Sequence, residues 1–236
     1  MARGGMATLR EGFGAAWPIC MGFIPIGLSF GVLAQKAGLG PLHVLLMSSL
    51  VFAGGSQFIA VAMLGSGASL PAIVMTTFVV NLRHFLMGSA LAVQLPRVNR
   101  WFLALFAYGL TDESFAVNMA RFRGEGWDRW RALTVNQITN ATWIASTVAG
   151  VYVGNLIPAG AFGIDYALTA MFICLFTFQL RERIHVLTAL VAAGLSVLLF
   201  LLLPGNFYVI GASCGAATIG LVVKRLAKKG RHHVPA

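Results

Sequence analysis

Long apolar stretches separated by short polar and glycine-rich ones dominate the pattern along this chain. Cutting at Gly, Pro and charge clusters gives apolar segments at about 12 to 34, 43 to 64, 71 to 95, 101 to 120, 132 to 157, 164 to 180, 184 to 203 and 207 to 223. At a rise of ~1.5 Å per residue, ~20 apolar residues cross the hydrocarbon core of a bilayer. Backbone groups in lipid must be satisfied internally, which leaves helices or closed barrels, and runs of this length and apolarity are helices. The pattern therefore predicts an all-α integral membrane protein of about eight transmembrane or partly re-entrant helices, forming a single transmembrane domain over residues 1–236.

Composition sharpens this. Hydrophobic residues make up 58% of the 236 positions and charged residues only 10%, whereas a soluble domain carries roughly a quarter charged residues. The formal charge of +10 sits at the ends and in short connections, without an aromatic-interleaved soluble patch, so it is read as cytoplasmic loop bias and not as a nucleic-acid surface. Arg3 and Arg10, the group Arg121, Arg123, Arg129 and Arg131, the pair Arg181 and Arg183, and the tail Lys224, Arg225, Lys228, Lys229 and Arg231 all fall on one side if eight segments cross fully, placing both termini in the cytoplasm. Arg97 and Arg100 disagree with eight crossings. The conflict disappears if segments two and four each enter and leave on one side, which gives six crossings and two re-entrant pieces. Eight crossings is the favoured expectation, and both arrangements keep the termini inside. The N-terminal run containing Trp17 and Pro25 is read as a first transmembrane segment, not a cleaved signal.

An ungapped internal match aligns Gly27, Gly31 and Gly40 with Gly150, Gly154 and Gly163. Each half thus carries a Gly-x-x-x-Gly, GLSFG and GVYVG, where missing side chains let helix backbones approach closely. The expected plan is a four-plus-four repeat, residues 12–120 and 132–226, with parallel halves.

Polar residues inside the segments are the candidate chemistry. In LVFAGGSQFIAV, Gly54, Gly55, Ser56 and Gln57 interrupt an apolar run, and consecutive glycines weaken a helix by about 1 kcal/mol each relative to Ala. Broken helices in membranes line cavities, and Gln57 offers both a donor and an acceptor; close helix packing is the alternative use of these residues. A similar interruption is expected at Gly22, Pro25 and Gly27, where Pro25 lacks an amide donor and frees a carbonyl. Segment three places Thr77, Asn81, His84 and Gly88 on one face and adds Arg83. An arginine there needs a partner, because an intramembrane charge costs at least ~2.5–3.5 kcal/mol. Asp112 and Glu113 in YGLTDESFAVN, beside Thr111, Ser114 and Asn118, are the candidates, and one of these carboxylates, kept from water, is the candidate proton carrier. Asn136, Thr139, Asn140, Trp143 and Thr147 form an inward stripe on segment five. Asp165 is expected to cap a helix.

Enzyme chemistry finds no support. The chain lacks His-Glu-x-x-His, Gly-x-Ser-x-Gly and the Gly-x-x-x-x-Gly-Lys phosphate loop, and Cys20, Cys174 and Cys214 have no metal or redox spacing. No metal and no cofactor are expected. The broken helices suit a coupled secondary transporter or, as the alternative, an uncoupled channel or facilitator for small polar solutes.

YGLTDESFA, FAGGSQF, VNLRHFLMG and PIGLSFG, in this order and over nearly the whole chain, resemble the AzlC family, the large subunit of bacterial branched-chain amino acid exporters. The resemblance implies proton-driven export of Val, Leu, Ile or related amino acids across the bacterial inner membrane, with a small AzlD-type membrane subunit as partner. A zwitterion needs separate sites for its two charges. Arg83 or a broken-helix amide suits the carboxylate, and Asp112, Glu113, Gln57 or freed carbonyls suit the ammonium. Pro25, Gly54, Gly55, Ser56, Asn81, Thr111, Asn136 and Asn140 complete the expected substrate site, with Phe52, Phe58 and Phe115 as candidate apolar lining.

Overall fold

The computed structural model describes residues 2–124, 126–156, 166, 173, 177, 183–202, 211–212 and 215–223. Eight helices are delimited among them: α1 (Ala2–Lys36), α2 (Pro41–Leu50), α3 (Gly54–Gly65), α4 (Leu70–Ala92), α5 (Arg100–Tyr108), α6 (Asp112–Phe122), α7 (Arg129–Gly154) and α8 (Arg183–Leu202). Most of the sixth apolar segment, Gly163, Asp165, Cys174, Arg181, Cys214 and the basic tail from Lys224 lie outside the described residues. Among the described residues three helices are long and apolar enough to cross a membrane, Gly5–Lys36, Leu70–Ala92 and His185–Leu202. The contacts divide the chain into two units, Met1–Ala68 with Val80–Leu168, and Ser69–Val79 with Thr169–Ala236.

The first unit is organised on α1 and α7. Its contacts climb both helices together: Glu11 meets Arg131, Cys20 meets Thr142, Phe23 meets Trp143 and Gln35 meets Asn155. The two helices are therefore parallel. From Glu11 to Gln35 the rise is about 36 Å, enough to carry the paired polar residues at either end past a ~30 Å hydrocarbon core. Between these ends the Gly-x-x-x-Gly motifs face each other. A Cβ on Gly31 would collide with the Thr147 carbonyl and Gly150, one on Gly150 with the Leu28 carbonyl, and one on Gly154 would come within 3.2 Å of Val32 Cα. The interruption expected at Gly22, Pro25 and Gly27 is not there: α1 runs unbroken through Pro18 and Pro25. Ser29 Oγ donates to the Pro25 carbonyl at 2.9 Å, and Gly27 packs on Ser146.

Segments two and four are each split. α5 rises alongside α7, with Phe102 against Trp130, Leu105 beside Gln137, Phe106 beside Asn136 and Tyr108 beside Asn140. The chain turns at Gly109–Thr111, and α6 descends again until Asn118 bonds the Ala132 carbonyl at 3.3 Å. Leu91, Leu95, Phe106, Leu110, Ala132 and Leu133 form a buried cluster there, with Phe102, Met119, Phe122 and Trp127 packed on it. Segment four is thus a hairpin that leaves by the end at which it began. Arg97 and Arg100 share that end with Arg121, Arg123, Arg129 and Arg131. α2 comes down from the opposite end until Ser48 meets Thr147 at 2.9 Å. After a break at residues 51–53, α3 doubles back: Gln57 reaches Ser48 at 3.1 Å, and Phe58 packs edge-on against Phe30 in the second half of α1. Two hairpins therefore approach from opposite ends of α7 and meet at their tips.

In the second unit α8 packs antiparallel to the helical run 215–223. A Cβ on Gly215 would lie 3.2 Å from Leu195, and one on Gly220 2.6 Å from Thr188. None of the apolar window of α8 is buried within the protein, as suits a helix facing lipid. α7 is the opposite case: Asn136, Thr139, Asn140, Ser146 and Thr147 lower its hydropathy, yet all five are buried.

Candidate functional site

The α2–α3 tip is held by a closed set of hydrogen bonds. Phe52 adopts φ 39°, a left-handed conformation unfavourable for a bulky residue, and Ala53 provides no side-chain cap for α3. Gln57, fully buried, compensates: its Oε1 accepts from Trp143 Nε1 at 2.9 Å and from the Ala53 amide at 3.3 Å, while its Nε2 donates to Ser48 Oγ. Ser56 Oγ donates to the Ala53 carbonyl. Gly54 leaves room for the Trp143 ring, which a Cβ would meet at 3.0 Å. Phe52 and Phe58, expected to line a pocket, are buried against Tyr108 and Phe30.

The α5–α6 tip is held in the same way. The last carbonyls of a helix lack full intrahelical pairing, and α7 supplies donors: Asn136 Nδ2 to the Phe106 carbonyl at 2.9 Å and Gln137 Nε2, at 3.3 Å, to that of Leu105, which also accepts from the Gly109 amide. Thr111 caps α6 reciprocally with Ser114. The absence of a side chain at Gly109 lets α5 sit on Asn136, whose Cβ would be 2.9 Å from an added one. Tyr108 joins the two tips. Its hydroxyl donates to the Ser49 carbonyl and accepts from Asn140 Nδ2, and its ring lies 6.3 Å from that of Phe52. Tyr108→Phe is expected to insert normally and lose about 1–2 kcal/mol of stability, since two partners go unmatched; thermal unfolding in detergent measures this.

Where the tips meet, Arg83 Nη1 pairs with Asp112 Oδ2 at 2.5 Å, so the ion pair expected from sequence forms on Asp112. Gly55 lies beside the same guanidinium, with an added Cβ 3.5 Å from Nη2. Asp112 and Glu113 both occupy the first turn of α6, where a helix N-terminus favours negative charge. His84 Nδ1 is 3.1 Å from the Leu110 carbonyl. Asn81 Oδ1, Arg83 Nε and His84 Nε2 are buried without a hydrogen-bond partner among the described residues.

The expected site residues thus divide. Gly54, Gly55, Asn81, Arg83, Asp112 and Glu113 gather at the tips. Ser56, Gln57, Thr111, Asn136 and Asn140 adjoin them, but their polar groups are committed to bracing the breaks. Pro25 is exposed on α1 in an unbroken stretch. Tyr108 and Ser48 were missed; the available signal was a tyrosine placed directly before Gly109 inside a span, where its hydroxyl must find a partner. Two cavities lined by described residues lie elsewhere, toward the Arg129 end of α7, with volumes near 530 and 650 Å³.

Apolar helices of spanning length, with polar side chains turned inward onto two interrupted helices, define an α-helical membrane protein. The chain belongs to the AzlC family: the model of that family, described as AzlC protein, matches residues 18–157. It is similar to the inner membrane protein YgaZ of Escherichia coli (strain K12), 33% identical over 205 residues that cover 83% of this chain and 84% of that one. It is also similar to the branched-chain amino acid transport protein AzlC of Bacillus subtilis (strain 168), 28% identical over 225 residues, 94% of this chain and 88% of that one. An uncharacterized membrane protein of Archaeoglobus fulgidus is 34% identical over 200 residues, 84% of this chain and 86% of that one. No solved structure matches the chain. Membrane transport is the class of function these kinships support.

Proposed function

We propose that this chain exports branched-chain amino acids across the bacterial inner membrane as a proton-coupled secondary transporter. The observation that carries the proposal is the Arg83–Asp112 ion pair at the meeting point of the two hairpin tips. A zwitterion is the solute such a pair suits. Its carboxylate exchanges onto Arg83 and its ammonium onto the acidic first turn of α6, with Asn81 Oδ1 and Arg83 Nε offering an acceptor and a donor that no described residue uses. Substrate and proton occupy the site in turn: the bound ammonium keeps the acidic first turn of α6 ionised, and after the substrate has left to the outside a carboxylate there takes up a proton, which the next substrate displaces on the cytoplasmic side. The arginine-rich end of the hairpin α5–α6 is the cytoplasmic side in this account, by the excess of positive charge. The B. subtilis relative's name supports the substrate class. A small AzlD-type subunit and a repeat with parallel halves, led by α1 and α7, belong to the same proposal.

Counterflow of labelled leucine in proteoliposomes, with and without the small subunit and an imposed proton gradient, is the test. Saturable exchange that responds to the gradient is expected. Gradient-independent flux would make the protein a facilitator, and absence of leucine flux under every condition would remove the substrate assignment. Within this assay Asp112→Asn is expected to keep downhill exchange and lose gradient-driven accumulation. If Asp112→Asn accumulates leucine like wild type and Glu113→Gln does not, the proton carrier is Glu113.

A further inference from the structure

A cavity of about 530 Å³, separate from the hairpin tips, lies between α1, the end of α6 and the turn into α7, lined by Glu11, Gly14, Ala15, Ala120, Arg121 and Trp127 among others. Its volume is within the ~300–1,000 Å³ usual for small-molecule sites. Both charged side chains on its wall are held in place. Glu11 Oε2 accepts from Arg131 Nε at 2.6 Å, and Arg131 is fixed in turn by Asp128 at 2.8 Å, the residue that caps α7. The Arg121 guanidinium carbon lies over the Trp127 ring, 5.4 Å from its centroid, and Trp127 Nε1 donates to Asn118 Oδ1 at 3.2 Å. Among the described residues, Glu11 Oε1 stays outside the ion pair and the Arg121 guanidinium donates no hydrogen bond. Glycine and alanine on the intervening wall leave space without adding polar groups.

We infer that this cavity is a second amino-acid site, in which Arg121 takes the carboxylate, Glu11 the ammonium, and Trp127 with Ala15 and Ala120 the aliphatic side chain. The inference rests on the export reading: it makes the cavity the loading site on the arginine-rich face, from which substrate passes to the Arg83–Asp112 pair. The wall and the tip are physically joined. Asn118, which fixes Trp127, donates to Asn136 Oδ1 at 3.0 Å, and Asn136 donates to the Phe106 carbonyl near the α5–α6 turn. α6 itself carries Arg121 near one end and Asp112 at the other, about 14 Å apart by helical rise.

Equilibrium binding of labelled leucine to the full chain in nanodiscs tests this. Phosphatidylethanolamine bears a comparable pair of charges, so the discs are made with and without it. The wild type is expected to bind two leucines per chain in both lipids. Arg121→Ala should bind one, Arg121→Lys should retain the second with affinity lowered by about tenfold as planar pairing is lost, and Arg83→Met should lose the other one instead. One leucine per chain, unaffected at Arg121 and abolished at Arg83, would overturn the loading site and leave the transport reading intact. A second leucine displaced by phosphatidylethanolamine would assign the cavity to a lipid headgroup and overturn the inference. No leucine on the wild type would remove both readings. Size-exclusion profiles of the variants exclude misfolding as the cause of a lost site.

Discussion

An Arg83→Met variant is expected to insert in the membrane, melt at a lower temperature than wild type and move no leucine above background. The arginine serves two ends in this account: it neutralises Asp112 in the resting protein, at 2.5 Å, and it receives the substrate carboxylate. Methionine keeps the apolar stem and removes both. Stranding one member of a fully buried ion pair costs ~3–5 kcal/mol. With 33% of the Arg83 side chain and 42% of that of Asp112 exposed, the loss should fall below that range. The double variant Arg83→Met, Asp112→Leu separates the two roles. With no stranded charge its stability should return toward wild type, while transport stays absent. Recovery of transport in the double variant would mean that the pair only fixes the fold. Melting curves and leucine uptake on the same preparations provide both readouts.

The largest effect on stability is expected at the α1–α7 crossing. Gly150→Leu would push a Cβ into the Leu28 carbonyl and within 2.9 Å of Leu28 Cα, and Gly31→Leu would do the same against Thr147 and Gly150. The obstructing atoms are backbone on both helices, so no rotamer change relieves the clash. Overpacking costs ~1–3 kcal/mol where side chains can give, and more where they cannot. Separation of the helices would also break the bonds by which α7 braces both hairpins, so either leucine variant is expected to accumulate poorly and to aggregate on extraction. Gly22→Leu is the internal control: α1 is equally apolar there and nothing lies within 4 Å of an added Cβ. Equal yields of Gly150→Leu and Gly22→Leu in detergent would show that the crossing is not tightly packed.

These two sites also mark how far the sequence could be read. The glycine pairs at Gly27 and Gly31, and at Gly150 and Gly154, announced a close approach because glycine at a four-residue spacing leaves one helix face without side chains. The Arg83 pair could be anticipated because an intramembrane charge requires an opposite charge. Neither argument gives direction, so the doubling back of segments two and four had only one weak pointer, the positions of Arg97 and Arg100. The glycines that suggested a broken helix do not sit in the break. Phe52 takes the left-handed turn at φ 39°, and Gly54 and Gly55 begin the next helix, where their small size admits Trp143 and Arg83. Pro25 misled for a related reason: a proline need not break a membrane helix, and whether it does depends on packing around the backbone that a linear sequence does not show. Gln57, Asn136 and Asn140 look like solute ligands in a linear sequence. The helix ends that occupy them become visible only when α7 is placed between the hairpins.

The most direct measurement is proton movement driven by leucine alone. Proteoliposomes holding the protein and an internal pH dye are loaded with leucine and diluted into leucine-free buffer, with the membrane potential clamped. The account predicts an internal pH change with wild type that disappears with Asp112→Asn while labelled leucine still leaves. Leucine efflux from wild-type vesicles with no accompanying pH change would contradict proton-coupled export and leave a passive route for the amino acid.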